Sequence, residues 1–107
     1  MPKRGYWVAT VSISNPAAYK EYMDYVMVPF GKFGGRYLVR GGASEVVEGE
    51  SLSRIIVIEF PDYATAQACY RSPEYGKAIT LRDGASINNI VVVEGYDGLQ
   101  PGDVSRP

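Results

Sequence analysis

Residues 54–60, RIIVIEF, constrain the fold most, because they are dense in β-branched residues and apolar on both faces of an extended strand. Such a segment is typical of a strand with neighbours in a sheet and cover on both sides. Alternating apolar residues predict another strand at 6–13, and the run IVVVE predicts one at 90–94. The chain therefore contains at least one well-paired sheet.

A further strand is predicted at 36–40, between two glycine pairs. We expect it to resume over 45–48, after Gly41-Gly42 bends the chain. The triplet at 49–51, Gly-Glu-Ser, then predicts a hairpin turn into the strand at 54–60.

Helical segments separate the strands. Asn15-Pro16 supplies an N-cap and a proline at the first helical position, and apolar residues follow at three- and four-residue spacing. Pro29 is predicted to break or kink this helix near its end, because proline removes a backbone donor. Asp62 and Ser72-Pro73 are predicted to cap two further helical segments.

The order β-α-β-β-α-β is that of a ferredoxin-like α+β sandwich, with a four-stranded antiparallel sheet and the helices on one face. We predict this domain over residues 1–96, and an irregular Gly- and Pro-rich tail over 97–107. The helices cover one face of the sheet, although the last two strands are apolar on both. The uncovered face predicts a homodimer in which two sheets pack together and enclose a barrel.

Composition argues against several kinds of function. A net charge of −1 and a pI near 5.4 give no general attraction to nucleic acid. No segment approaches the roughly 18 consecutive apolar residues of a membrane span. With no histidine and one cysteine, we predict neither a metal site nor a cofactor. The unpaired Cys69 and the lack of a signal-peptide pattern favour a cytoplasmic location.

Six motifs, in order along the chain, carry a resemblance to a known family. They are GYWVATV at 5–11, NPAAY at 15–19, GGRYLVRGG at 34–42, IEFP at 58–61, CYRSPEY at 69–75 and VEGY at 93–96. Over roughly residues 4–97 the chain resembles the family catalogued as domain of unknown function 1330. The resemblance implies the dimeric α+β barrel fold shared with antibiotic-biosynthesis monooxygenases, muconolactone isomerases and stress-responsive barrel proteins. It implies no reaction, because the family is uncharacterised and the fold hosts unrelated chemistries.

The candidate catalytic residues are Glu59 and Arg40. Strand alternation predicts that Glu59 faces away from the helices, where a carboxylate on an apolar surface is suited to ion pairing or proton transfer. Arg40 is the predicted partner, with Arg54 and Arg36 as alternatives. A structural ion pair that fixes strand register or joins the dimer is the competing interpretation.

The candidate ligand-binding residues are Arg54, Tyr37, Tyr75 and Glu94. Glu94, near the end of the last strand, is a possible second carboxylate for an acid–base pair with Glu59. The tyrosines offer a ring and a hydroxyl to a pocket, although packing is the usual role of such residues.

These residues are compatible with two functions of one small-molecule pocket. The first is a cofactor-independent isomerase or cyclase, in which Glu59 transfers a proton and Arg40 holds an anionic or enolate-like oxygen. The alternative is a dimer that binds or senses a small molecule without chemistry. RNA recognition shares the order of strands and helices, but it needs exposed aromatic and basic residues on the third strand, which here offers Ile55, Val57 and Glu59.

Overall fold

The computed structural model describes residues 2–103 and contains one antiparallel sheet covered by helices on one side. The strands are β1 (Gly5–Ile13), β2 (Arg36–Arg40), β3 (Arg54–Phe60) and β4 (Ser86–Glu94), in the spatial order β2-β3-β1-β4. The helices are α1 (Pro16–Tyr25), α2 (Met27–Lys32), α3 (Tyr63–Tyr70) and α4 (Pro73–Leu81). This arrangement confirms the predicted ferredoxin-like fold. No helix in the described part of the chain is long and apolar enough to cross a membrane.

The first helical region divides into α1 and α2 at Val26. Asn15 caps α1 as predicted, and its side chain accepts a hydrogen bond from the backbone N–H of Ala18 at 3.2 Å. A proline ring clashes with the carbonyl group four residues before it, and for Pro29 that residue is Tyr25, the last of α1. The predicted disruption is confirmed, and its position follows from this clash.

The connection from β2 to β3 differs from the prediction. Residues 41–53 form an exposed loop without helix or strand, so the strand expected over 45–48 is wrong. In this segment Val46 and Val47 are adjacent rather than alternating, and glutamates flank them. No side of an extended strand would therefore be consistently apolar. The glycine of the expected hairpin turn at 49–51 lies inside this longer loop.

Two other boundaries also differ from the sequence estimate. β4 begins at Ser86, four residues earlier than expected, because pairing with β1 extends through Asn88 and Asn89 despite their low strand propensity. In the tail, Pro101–Asp103 forms a short 3₁₀ turn. Residues 104–107 lie outside the described part of the chain, and the domain boundary at 96 stays a prediction.

We call the side of the sheet that packs against the helices the covered face, and the opposite side the open face. The strand residues buried on the covered face are Trp7, Ala9, Val11, Ile56, Ile58 and Phe60. Trp7 lies at the centre of this core, in ring contact with Phe30, Phe60 and Tyr75. Its indole N–H donates to the carbonyl oxygen of Ala66 at 2.8 Å, which ties α3 to the sheet.

The open face carries the alternate residues of the same strands. Its exposed apolar side chains are Val8, Val39, Ile87, Val91 and Val93. Ile55 and Val57 are half-buried between neighbouring strands. The predicted uncovered apolar face is therefore present in the single chain.

Candidate ligand site beneath the helices

An irregularity in β2 decides where its two arginines lie. The register pairs Arg36 with Glu59, Tyr37 with Ile58, Val39 with Val57 and Arg40 with Ile56, and it shifts at Leu38. This shift is a β-bulge, which inserts one residue and exchanges the faces of those that follow. Arg36 stays on the open face, whereas Arg40 lies on the covered face with Ile56. The predicted pairing of Arg40 with Glu59 is therefore wrong within the chain.

Glu59 lies on the open face, where its neighbour is a tyrosine. The Tyr6 hydroxyl donates to Glu59 Oε2 at 3.2 Å, and Arg36 is opposite Glu59 in the register. Burial and the contact with Glu59 raise the pKa of Tyr6. Of the predicted alternative partners, Arg36 shares this face, whereas Arg54 pairs in register with Val11 on the covered face.

Glu94 lies apart from Glu59. It is paired in register with Gly5 at the end of the sheet, and Lys3 Nζ lies 3.9 Å from its carboxylate. Both members of this ion pair are about half exposed, so the pair contributes little to stability. The predicted acid–base pair of Glu59 and Glu94 is not assembled, because the two side chains belong to opposite faces.

The covered face and the helices enclose a small cavity. It is lined by Trp7, Ala9, Val11, Tyr19, Tyr22, Met23, Phe30, Tyr37, Ile56, Ile58, Asn88 and Ile90. Its volume is about 20 Å³, which is room for about one water molecule. The polar groups among these side chains are three tyrosine hydroxyls, one amide and the Trp7 indole N–H that bonds to Ala66, and no carboxylate lines the cavity.

Arginines surround this cavity without acidic partners. Three tyrosines that line it each have an arginine nearby: Tyr37 has Arg40 at 5.2 Å from the ring centre, Tyr22 has Arg82 at 5.2 Å, and Tyr19 has Arg54. Among residues 2–103, none of these arginines forms an ion pair with a carboxylate. The Nε atoms of Arg54 and Arg82 are also buried without a hydrogen-bond partner. Positive charge is therefore concentrated around an otherwise apolar cavity.

Local backbone geometry makes room for Arg54. Gly41 follows β2 with φ +70°, in the left-handed region that favours glycine. The Arg54 guanidinium occupies the space that a side chain at Gly41 would need. The second glycine pair of the sequence thus supports the position of a cavity arginine.

The tyrosine hydroxyls near the cavity stay protonated. Burial raises the pKa of Tyr22 far above the ordinary value, and the neighbouring Tyr75 acts in the same direction. Burial also raises the pKa of Tyr37, although Arg40 and Arg54 act against this rise. At neutral pH these groups are hydrogen-bond donors, and the buried Tyr37 hydroxyl makes no hydrogen bond within the described part of the chain.

Of the four predicted ligand-binding residues, two lie at or beside the cavity and two lie elsewhere. Tyr37 lines the cavity and Arg54 lies beside it, whereas Tyr75 lies behind Tyr22 and Glu94 lies at the far end of the sheet. A role in binding stays a prediction for each of them.

Tyr19, Tyr22 and Arg82 were not among the residues predicted for the site. The two tyrosines are buried. Their three-residue spacing on α1 also directs both rings toward the sheet, and this was the available signal for a shared site. Arg82 follows the end of α4 and is half-buried against Tyr22.

The comparison with protein families agrees with the motifs of the sequence. Residues 4–96 match the family described as "Domain of unknown function (DUF1330)", and the chain belongs to this family. The predicted membership is confirmed. No curated protein matches the sequence.

Solved structures with the same fold come from distant proteins. A protein of unknown function from Rhodopseudomonas palustris is 18% identical with a TM-score of 0.68, over 92% of this chain and 86% of that one. SnoaB, a cofactor-independent oxygenase from Streptomyces nogalater, is 12% identical with a TM-score of 0.60, over 91% and 97%. A hypothetical Arabidopsis thaliana protein is 9% identical with a TM-score of 0.63, over 94% of each chain. At these identities the likeness shows the fold alone.

Proposed function

We propose that this protein is a homodimer that binds a small anionic molecule in the cavity beneath its helices. The observation that carries the proposal is the group of three arginines without carboxylate partners around that cavity, Arg40, Arg54 and Arg82. Arg40 is exposed, whereas Arg54 and Arg82 are half-buried, and half-buried cations are usually paired because removing a charge from water is costly. A ligand that carries negative charge supplies the missing counterion.

The size of the cavity limits how such a ligand fits. The enclosed end accepts one oxygen-sized group, so the remainder of the ligand must extend toward Arg40 and Arg54 or displace a wall. Met23 is the most adaptable wall residue, because methionine is unbranched and changes conformation readily. The aromatic walls formed by Trp7 and Phe30 favour a flat, apolar body.

The homodimer is proposed from the open face and the overall shape. The molecule measures 55 × 33 × 17 Å, and the short dimension corresponds to one layer of helices on one sheet. A second copy packed sheet to sheet would cover the exposed valines of the open face. It would also place the hydrogen-bonded Tyr6 and Glu59 in the interface, where they would help to fix the relative position of the two sheets.

A cofactor-independent enzyme is the second candidate. The likeness in fold to SnoaB, described as a cofactor-independent oxygenase, favours keeping this possibility. An isomerase or cyclase that uses Glu59 would need a chamber between the two sheets of the dimer, because Glu59 faces away from the cavity. In that case Glu59→Gln abolishes turnover, whereas under our first proposal it leaves binding in the cavity unchanged.

The test of the first proposal compares two arginine variants. A panel of small carboxylates and phenols is screened by thermal shift against wild type, Arg54→Gln and Arg71→Gln, where Arg71 is exposed and away from the cavity. We expect ligands that raise the Tm of wild type and Arg71→Gln but not of Arg54→Gln. Equal responses of the two variants would contradict the proposed site. Light scattering that shows a monomer at micromolar concentration would contradict the homodimer.

A further inference from the structure

We propose that Arg82, Tyr75 and Tyr22 form a one-way chain of hydrogen bonds, which makes Tyr22 a donor to the ligand and selects phenol-type ligands as their anions. This inference rests on the proposed function, and it names the ligand's chemical class. Tyr22 would contact the ligand directly, whereas Tyr75 and Arg82 act through it as positioning residues.

The direction of the hydrogen bonds is argued from Arg82, the residue at one end of the series. An arginine side chain has donors and no acceptor, so Arg82 Nη2 donates to Tyr75 Oη across 3.5 Å. Tyr22 Oη and Tyr75 Oη are 2.7 Å apart, and either hydroxyl has the geometry to donate. Tyr75 is fully buried, and the described residues offer its hydrogen no acceptor other than Tyr22. Donation from Tyr75 to Tyr22 therefore leaves the unpaired hydrogen on Tyr22, which lines the cavity, whereas the reverse leaves it on Tyr75, where nothing can accept it.

The hydroxyl hydrogen that remains free to donate belongs to Tyr22, which lines the cavity. Tyr37 lines it as well, and among residues 2–103 no group satisfies the geometry of a hydrogen bond to its buried hydroxyl, although Arg40 lies close to it. Two phenol donors and nearby guanidinium groups stabilise an oxygen that accepts hydrogen bonds and carries negative charge.

A neutral hydroxyl group would bind less well in this cavity. It must donate its own hydrogen either to the amide oxygen of Asn88, whose Nδ2 donates to Ser86 Oγ at 2.8 Å, or to a tyrosine hydroxyl oxygen, and each of these tyrosines has an arginine nearby. No carboxylate lines the cavity to take the proton into an ion pair. The ionised ligand is therefore favoured over its neutral form.

The experiment uses 4-nitrophenol, whose absorbance spectrum distinguishes phenol from phenolate, and 4-nitroanisole as the neutral matched probe. Trp7, the single tryptophan, lines the cavity and reports occupancy by its fluorescence. We expect wild type to bind 4-nitrophenol as the phenolate, with the apparent pKa of the bound probe lowered by about one unit. We expect about tenfold weaker binding of 4-nitroanisole.

The variants separate the hydrogen-bond chain from packing. Tyr75→Phe keeps the ring and removes the hydroxyl that links Arg82 to Tyr22, so we expect the shift in the pKa of the bound probe to be lost. Tyr70→Phe is the matched control, because its ring also contacts Trp7 and its hydroxyl makes no hydrogen bond to any of residues 2–103. If Tyr75→Phe does not fold, Tyr22→Phe removes the terminal donor and must abolish the same shift.

The outcomes distinguish this inference from the function on which it rests. Three outcomes would overturn the proposed chain of hydrogen bonds and leave the proposal of a small-molecule cavity intact. They are binding of 4-nitrophenol as the neutral phenol, equal binding of both probes, and a shift in the pKa of the probe that is unchanged in the variants. Failure of both probes to change Trp7 fluorescence at millimolar concentration overturns the phenol class. The proposed function fails separately, when Arg54→Gln and Arg71→Gln respond alike to the wider panel.

Discussion

The covered and open faces of the sheet are built from alternate residues of the same four strands, yet their surroundings differ. Trp7 is 1% exposed on the covered face, whereas the next residue, Val8, is 39% exposed on the open face. The covered face supplies the aromatic core and the cavity, and the open face supplies an apolar surface without cover. The helices thus complete the fold on one side and leave the other side available for association.

The distribution of charge differs in the same way. Unpaired arginines lie around the covered-face cavity, while Glu59, in contact with Tyr6, lies on the open face. The arginines near the cavity are kept apart from Glu59 by the thickness of the sheet, and Arg36 is the arginine that shares the open face with it. This separation argues against a single site that combines them within one chain.

The largest effect that separates the faces is expected at Trp7. Trp7→Ala leaves a large cavity and removes the donor to Ala66, so we expect a loss of about 3–5 kcal/mol in the free energy of unfolding. Val8→Ala is the neighbouring control, with an expected loss below about 1 kcal/mol in the dissociated chain. Urea unfolding measures both. Similar losses at the two positions would contradict the difference in burial between the faces.

The second prediction concerns association through the open face. Val91 on β4 and Val28 on α2 have similar exposure, 60% and 58%, but only Val91 lies on the open face. Val91→Glu would bury a carboxylate from each copy, so we expect its dimer dissociation constant to rise about a hundredfold or more. Val28→Glu should leave association unchanged. Analytical ultracentrifugation of both variants tests this, and equal behaviour would exclude the sheet as the interface.

A smaller effect tests the assignment of side chains to faces. In double-mutant cycles, Tyr6→Phe and Glu59→Gln should show a coupling energy of about 0.5–1.5 kcal/mol, because the two groups share a hydrogen bond. Arg40→Gln and Glu59→Gln should be additive within about 0.5 kcal/mol, because they lie on opposite faces. Chemical unfolding measures both cycles. A strong coupling of Arg40 with Glu59 would contradict the assignment of Arg40 to the covered face.

The smallest expected effect is on the pH dependence of stability, and it concerns a helix cap rather than either face of the sheet. Asp62 caps α3 by accepting from the backbone N–H of Thr65 at 2.7 Å, and this hydrogen bonding lowers the pKa of Asp62. A lowered folded-state pKa means that the stabilisation is present above the unfolded pKa and is lost as pH falls through the folded value. Asp62→Asn keeps a capping side chain but does not titrate. We therefore expect the Tm difference between wild type and this variant to shrink on acidification, and a constant difference would contradict the assignment.

Local patterns in the sequence predicted most of the fold. The caps at Asn15, Asp62 and Ser72 are correct because each depends on a side chain and a backbone group three residues away. The faces of β1 and β3 are also correct, because uninterrupted alternation assigns each residue to a side. Pairing beyond the local segment was harder, as the early start of β4 through two asparagines shows.

The candidate site was predicted only in part. Arg54 and Tyr37 were chosen for chemistry, but Arg40 was assigned to the wrong face because nothing in RYLVR marks Leu38 as a bulge. The contact between Tyr22 and Tyr75 joins residues 53 positions apart. Such a contact depends on how α1 and α4 pack together, which periodicity within either helix does not specify.

The bulge at Leu38 has a consequence for how relatives of this protein could diverge. Deleting that residue would restore plain alternation and leave Arg40 opposite Ile56 on the covered face. Straightening the strand with Leu38 retained would instead place Arg40 opposite Ile55 and carry its side chain across the sheet, toward the surface proposed to meet a second copy. Loss of the bulge without any change in strand length would then convert a cavity cation into an interface cation.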